Sequence, residues 1–249
     1  MTEWWNEVLH WLLRLKKDFI ACFITDDRWL WLWRGLGVTL EITFAALAIG
    51  IVLGVIVSLI RVTYDNTSTT LRPGPVRFFL RLANGICKIY LTLFRGTPMV
   101  VQLMIWYFVI LISMKGVPVA CIAFGFNSGA YVAEIMRAGI MSVDRGQMEA
   151  GRSLGFNYVE TLRFIILPQA FKNVLPALCN ECIVLVKETA VAGYVALQDL
   201  TKAGDIIRSR TFIAFMPLLA VALIYLGIVM LLSWALGKLE RRLRANDLR

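Results

Sequence analysis

The chain has 249 residues, of which 59% are apolar, with a formal charge of +9 and a mean hydropathy of +0.70. Soluble domains hold roughly 45–50% apolar residues, so this composition excludes an ordinary soluble domain and points to an integral membrane protein of one domain. The basic residues are dispersed among apolar segments rather than gathered into a basic domain, so nucleic acid is not an expected partner and the lipid bilayer is.

Residues 1–34 form a leader. Trp4, Trp5, Val8, Trp11, Leu12, Leu15 and Phe19 recur at helical spacing, which predicts an amphipathic helix lying at the membrane interface. A basic start and a small-residue cleavage site are both missing, so no signal peptide is expected. Trp29, Trp31 and Trp33 fit an interfacial aromatic belt.

Residues 35–236 carry five apolar segments, near Gly35–Ile60, Ile89–Met114, Val117–Ile135, Pro176–Ala196 and Ile213–Leu236. Crossing a hydrocarbon core takes about 20 residues, and with no β-barrel alternation the spans are expected as α-helices. The expected fold is therefore an all-α membrane domain of about five spans, followed by a basic tail at 237–249.

Charge sets the expected orientation. Arg61, Arg72, Arg77, Arg81 and Lys88 occupy the first loop, Arg137, Arg145, Arg152, Arg163 and Lys172 the third, and Lys238, Arg241, Arg242, Arg244 and Arg249 the tail. The alternate loops hold Lys115, then Lys202, Arg208 and Arg210 offset by Asp199 and Asp205. The positive-inside bias puts the first set in the cytoplasm, with the N-terminus outside and the C-terminus inside. Arg14, Lys16, Lys17, Arg28 and Arg34 in the leader run mildly against that orientation.

Between the third and fourth segments lies a polar run, Asp144–Pro168. Asp144 with Gln147, and Asn157 with Glu160, have the spacing of capping boxes for two short helices. Gly155 supplies the left-handed residue that ends the first helix, and Pro168 is expected to end the second. The first helix is expected to turn Glu149 and Arg152 outward, with Ala150 and Gly151 small enough for a partner surface to approach.

Several polar residues fall inside apolar segments, where an ionisable group is costly unless it meets water or a partner. Lys187 and Glu188 are expected to face a water-filled path or its gate, a role weighed evenly against pairing with a helix end or another subunit. Glu134 and Arg137 sit near a membrane face, where snorkelling serves them. Arg95 is read as starting its helix, Thr97-Pro98 as a kink, and the kink as exposing the Gln102 amide. Gly50-x-x-x-Gly54 reads as close helix packing.

The spacing Glu149-Ala150, Gly155, Ile165-x-Leu167-Pro168 closely resembles the "EAA" loop of permease subunits of ABC importers with the type I fold. Gly151 departs from it, standing where a second Ala is usual. Gly35-Leu-Gly-Val-Thr39-Leu40, Arg95-Gly-Thr-Pro-Met-Val-Val-Gln102, Ala133-Glu134-Ile135-x-Arg137-x-Gly139, Gly146-Gln147-x-Glu149-Ala150, and Asn180 with Lys187-Glu188-Thr189 resemble the polar amino-acid branch of those permeases.

The resemblance implies a socket for a separate ABC ATPase dimer at Gln147, Glu149, Ala150, Gly151, Arg152, Leu154, Gly155, Ile165, Leu167 and Pro168. It implies a substrate path or gate among Arg95, Thr97, Pro98, Gln102, Glu134, Asn180, Lys187, Glu188 and Thr189. A second permease subunit, identical or homologous, and an extracytoplasmic amino-acid-binding protein complete the implied assembly. ATP with Mg belongs to the partner, since this chain has no GxxxxGK[ST] loop and is expected to bind no cofactor.

A lone histidine, His10, leaves no Ser-His-Asp set, so no catalytic residues are expected, and Cys179-x-x-Cys182 lacks the second ligand pair of a structural zinc site. Two other classes stay open from the residues alone: an ion-coupled secondary transporter relaying through Lys187 and Glu188, and a channel or scaffold.

Overall fold

A computed structural model describes residues 2–67, 73–114 and 116–245, and every regular element among them is helical. Arg72, Lys115 and Arg249 of the orientation argument lie outside the described residues.

Helix α1 (Thr2–Phe19) covers the tryptophan-bearing leader and leaves Trp11, Leu12 and Phe19 exposed, as a helix resting on lipid would. A tight turn follows in which Asp26 and Asp27 take positive φ, held by Arg28, whose guanidinium donates to Ala21 O (2.7 Å) and Asp26 Oδ2 (2.8 Å).

Helix α2 (Trp29–Thr67) has 39 residues, roughly 58 Å at 1.5 Å per residue, so it overshoots the hydrocarbon core. Helix α3 (Pro75–Gly96) and helix α4 (Met99–Ile105, prolonged by a wide turn through Ile110) meet at an angle of 112°. Helix α5 (Val117–Met141) returns to the polar run, which forms α6 (Arg145–Ser153) and α7 (Tyr158–Thr161). Helix α8 (Leu167–Glu188) tightens into a 3-10 stretch at Thr189–Val195, and α9 (Leu200–Thr211) and α10 (Phe215–Ala245) complete the described chain.

Three of these, α2, α5 and α10, are long and apolar enough to cross a membrane, and α3 with α4, bent between them, have the length and composition of a broken span or a re-entrant loop. The second segment is thus not one straight helix from Ile89 to Met114. Nor does Arg95 start a helix: it lies in the last turn of α3, with the bend just after it. The fourth segment begins earlier than Pro176 and is too polar to pass as a span by composition, because Lys172, Glu181, Lys187 and Glu188 fall within α8.

Glycines from both partners bring α2 and α5 into contact. A Cβ on Gly50 would lie 2.9 Å from Ser128 Oγ, one on Gly54 would overlap Val132 Cγ1, and one on Gly125 would lie 2.7 Å from Ile49. Gly50-x-x-x-Gly54 therefore serves packing, since any side chain would push the helices apart. Around this seam Ile42, Ala46, Leu103, Phe124 and Leu185 form the main core. A second cluster joins Leu32, Leu200, Ile207 and Val221, and a third, of Val62, Ile140, Leu162, Ile166 and Ala170, lies beneath the polar run.

Candidate functional site

The polar run folds as a helical hairpin pinned to the ends of the spans. Asp144 Oδ1 accepts from the Gly146 N–H (2.7 Å), giving α6 its N-cap. Gln147 does not close a capping box there. Its Oε1 instead accepts from Gln169 Nε2 (3.4 Å), linking α6 to α8. The box at α7 is complete: Asn157 Oδ1 accepts from the Glu160 N–H (2.9 Å) while the Asn157 N–H donates to Glu160 Oε2 (2.8 Å).

Gly155 has φ +92°, and the hydrogen bonds Phe156 N–H to Gly151 O (3.2 Å) and Gly155 N–H to Arg152 O (3.1 Å) form a Schellman ending for α6. Pro168 does not end the second helix. A wide turn at Leu162–Ile166 precedes it, so the proline falls in the first turn of α8, where its missing N–H breaks no ladder.

Gly151 corrects the expectation of a small residue facing a partner. It is buried, and a Cβ there would come 2.6 Å from Thr161 Cγ2 and 2.9 Å from Ile165 Cδ1. Its smallness lets α6 lie against the chain that follows it. Glu149, Ala150 and Arg152 are exposed, and the tip adds apolar surface: Leu154 is 78% and Val159 67% exposed, with Phe156 beside them. Phe156 and Val159 are absent from the sequence-derived set, since a lone apolar residue in a loop carries no periodic signal.

A cavity of about 470 Å3 lies between the hairpin (Met148, Glu149, Arg152, Tyr158) and the ends of α2 and α5. Asn66 Nδ2 donates to Tyr158 Oη (3.2 Å), Arg137 pairs with Asp65 (2.9 Å), and Asn173 Nδ2 donates to Ser142 Oγ (2.9 Å). Ile165 and Leu167 pack on the apolar cluster beneath. Met148 of α6 packs on the same cluster, which draws Val62 from α2, Ile140 from α5 and Ala170 from α8, so force applied to α6 reaches all three.

The α3/α4 bend follows from Pro98. In a continuous helix the Phe94 carbonyl would accept from the N–H of residue 98, and proline has none. Two side-chain amides take its place: Gln102 Nε2 donates to Phe94 O (2.9 Å) and Asn127 Nδ2 to the same oxygen (3.1 Å). Gln102 Nε2 also lies within hydrogen-bond reach of Thr97 O (3.0 Å) and Thr97 Oγ1 (2.8 Å), and its Oε1 accepts from Asn127 (3.0 Å). Gln102 is buried and its amide is taken up by the bend rather than laid open.

Arg95 and Arg61 flank Glu134, at 3.7 and 3.9 Å from its Oε1, so the expected snorkelling of Glu134 gives way to a shared ion pair joining α2, α3 and α5. On α8, Lys187 and Glu188 stand at the helix end rather than well within a span. Asn180 and Lys187, two turns apart on one face, are exposed, and Thr189 is buried with its hydroxyl donating to Val186 O (2.7 Å). Deeper in, Ser128 Oγ donates to Glu181 Oε1 (2.9 Å). At the far end of α2, Thr39 Oγ1 accepts from the Leu200 N–H (3.1 Å), and a Cβ on Gly35 would lie 2.7 Å from Asp199 O. The Gly35-to-Leu40 motif thus receives the start of α9.

Comparison with known proteins agrees with this architecture. The profile of the family described as "Binding-protein-dependent transport system inner membrane component" matches residues 50–245, and the chain belongs to that family. The arginine transport system permease protein ArtQ of Bacillus subtilis (strain 168) is 38% identical over 219 residues, covering 86% of this chain and 93% of the relative. The glutamine transport system permease protein GlnP of Escherichia coli (strain K12) is 34% identical over 216 residues, covering 85% and 92%. Among solved structures, an amino acid ABC transporter crystallised with histidines superposes with a TM-score of 0.76 at 36% identity, over 88% of this chain and 98% of that one. The inward-facing MetNI methionine ABC transporter, at 23% identity and a TM-score of 0.68 over 86% and 96%, shares the fold. The fold is that of a type I ABC importer permease, an integral inner-membrane protein.

Proposed function

We propose that this chain is the membrane-spanning permease subunit of an ABC importer that carries a polar amino acid, with a separate ATPase dimer seated on the 144–168 hairpin. The observation that carries this reading is the hairpin itself: a capped helix offering exposed Glu149, Arg152 and Leu154 outward while the hairpin is tied by Asn66–Tyr158 to α2 and by Gln147–Gln169 to α8. Relatives named for arginine and glutamine transport and an amino-acid ABC transporter structure support the substrate class. An ion-coupled transporter or passive channel is disfavoured, because neither needs such a socket.

In this reading Gln147, Glu149, Ala150, Arg152, Leu154, Phe156 and Val159 meet or position the ATPase, and Gly151, Gly155, Ile165, Leu167 and Pro168 set the hairpin's shape. ATP with Mg is held by the ATPase and no cofactor by this chain. ATP-driven closure moves α6 as a lever, and the ties at its base rock the spans. A second permease subunit, identical or homologous, covers the exposed Asn180–Lys187 face of α8 and encloses the path, with Glu188 and Thr189 at its end. Arg95, Thr97, Pro98 and Gln102 hold the bent wall of that path, and Glu134 locks it to α2. An extracytoplasmic binding protein delivers the solute. With α8 serving as a fifth crossing despite its charged residues, the N-terminus is outside and the C-terminus cytoplasmic; residues 1–34 serve as an interfacial leader, 35–236 as the permease domain and 237–249 as a basic tail.

A mild-detergent pull-down of the tagged chain from its native membrane, followed by mass spectrometry, tests this. An ABC ATPase should be recovered with the wild type and lost with Gly155→Asp, whose side chain opposes the positive φ that ends α6. Recovery of no ATPase with a folded wild-type chain, or equal recovery with the variant, would count against the socket.

A further inference from the structure

We infer that the cavity bounded by Arg61, Lys88, Arg95 and Glu134 binds a phosphate group, and that its occupant is the headgroup of an anionic phospholipid. The cavity measures about 450 Å3 and lies between α2, α3 and α5. It holds three cations and one carboxylate. That carboxylate satisfies neither arginine well: Glu134 Oε1 stands 3.9 Å from Arg61 Nη1 and 3.7 Å from Arg95 Nη1, beyond good hydrogen-bond length. Arg61 Nε is buried with no hydrogen-bond partner, on a side chain only 16% exposed. Lys88 makes no ion pair among the described residues.

Buried donors normally find an acceptor, and Arg61, with the more exposed Lys88 and Arg95, lines a space that a tetrahedral oxyanion would fill. Phosphate suits guanidinium forks, which donate along two parallel N–H directions, and the ammonium of Lys88 adds a point charge at the rim.

The surface of α3 points to a lipid as the source of that phosphate. Arg81, Lys88 and Arg95 recur every seven residues along one side of the helix. Phe79, Leu82, Ile86, Ile89 and Leu93 are all more than half exposed along another. A helix with a cationic edge beside an open apolar face holds a headgroup at the first and acyl chains along the second. Free phosphate would use only the cavity. The site lies near the docking hairpin, since Arg61 is one turn before Asp65, which lines the cavity beneath the hairpin. The inference needs the membrane location that comes with the family and not the ATPase socket, so the two readings can fail separately.

Native mass spectrometry of the full chain, released from detergent with equal amounts of phosphatidylglycerol and phosphatidylcholine, provides the test. Wild type should retain phosphatidylglycerol in preference. Lys88→Gln and Arg95→Gln should each lower that retention about fivefold, the factor expected for one cation at a lipid surface. Arg210→Gln, which removes a charge outside the cavity, should leave it unchanged. Lys88 is exposed and unpaired, so its loss leaves the fold intact; unaltered thermal unfolding checks this. Inorganic phosphate is the second probe: binding of phosphate with the same variant sensitivity, without preference between lipids, would keep the oxyanion site and overturn the lipid as its occupant. Equal retention of both lipids with no phosphate binding, or retention indifferent to both cavity variants, would overturn the site.

Discussion

Ser128 on α5 donates a hydrogen bond of 2.9 Å to the carboxyl group of Glu181 on α8, and Gly50 of α2 lies directly against the same serine. Three helices thus meet at one buried polar contact. Removing the donor with Ser128→Ala leaves a buried carboxyl oxygen unmatched, at a cost of about 1–3 kcal/mol, whereas Glu181→Gln keeps an acceptor and the shape of the side chain. Thermal unfolding in detergent should show a clear fall in Tm for Ser128→Ala and a smaller one for Glu181→Gln.

Gly151 offers a test of how the hairpin is held. Alanine in a helix interior gains about 1 kcal/mol over glycine, but forcing a methyl group against Thr161 costs about 1–3 kcal/mol, so Gly151→Ala alone should be neutral to destabilising. Thr161→Ser removes the methyl group that a Cβ at 151 would approach to 2.6 Å. The double variant should therefore be more stable than the sum of the two single changes, a coupling readable from a double-mutant cycle of unfolding midpoints.

Gln102 should prove necessary for the α3/α4 bend. Gln102→Leu takes one of the two donors from the Phe94 carbonyl and one of the two acceptors from the Asn127 amide. With about 0.5–1.5 kcal/mol at stake for each hydrogen bond lost, the variant should insert into the membrane yet lose most of its transport. Asn127→Leu should resemble it, because both amides serve the same oxygen; uptake assays on the two variants check this.

Acid should weaken α9 in a defined window. Arg208 Nη2 donates to Asp205 (2.6 Å) and Lys202 Nζ lies 3.1 Å from its other oxygen, and these bonds hold the Asp205 carboxyl below the usual range. A lowered folded pKa gives stability that is present above the ordinary value of about 4 and lost as pH falls through the lowered one. The Tm difference between wild type and Asp205→Asn should therefore hold steady from neutral to mildly acid pH and shrink below that window. The exposed position of the pair keeps the effect small.

The long apolar helices could be read from the chain because burial in lipid needs only composition and length, and the Asn157–Glu160 box and Gly155 turn could be read because capping is local. The Asp144–Gln147 box could not, since Gln147 found a partner on α8, twenty-two residues away. The angle at Thr97-Pro98 was foreseeable as a kink, but not as a 112° bend, which depends on Asn127 from α5. The role of Glu181 was not legible, because its partner Ser128 is distant in sequence. Gly151 stood out only as a departure from the family pattern, while its reason, Thr161 and Ile165 packed above it, belongs to tertiary structure.

The most direct test of the central claim is photo-crosslinking in intact cells from a probe at Leu154, the exposed tip of the hairpin, against a control probe at Val52, exposed on the membrane face of α2. The account predicts an adduct with an ABC ATPase from position 154 and none from position 52. An absence of ATPase adduct at 154, in a chain that expresses and transports normally, would contradict it.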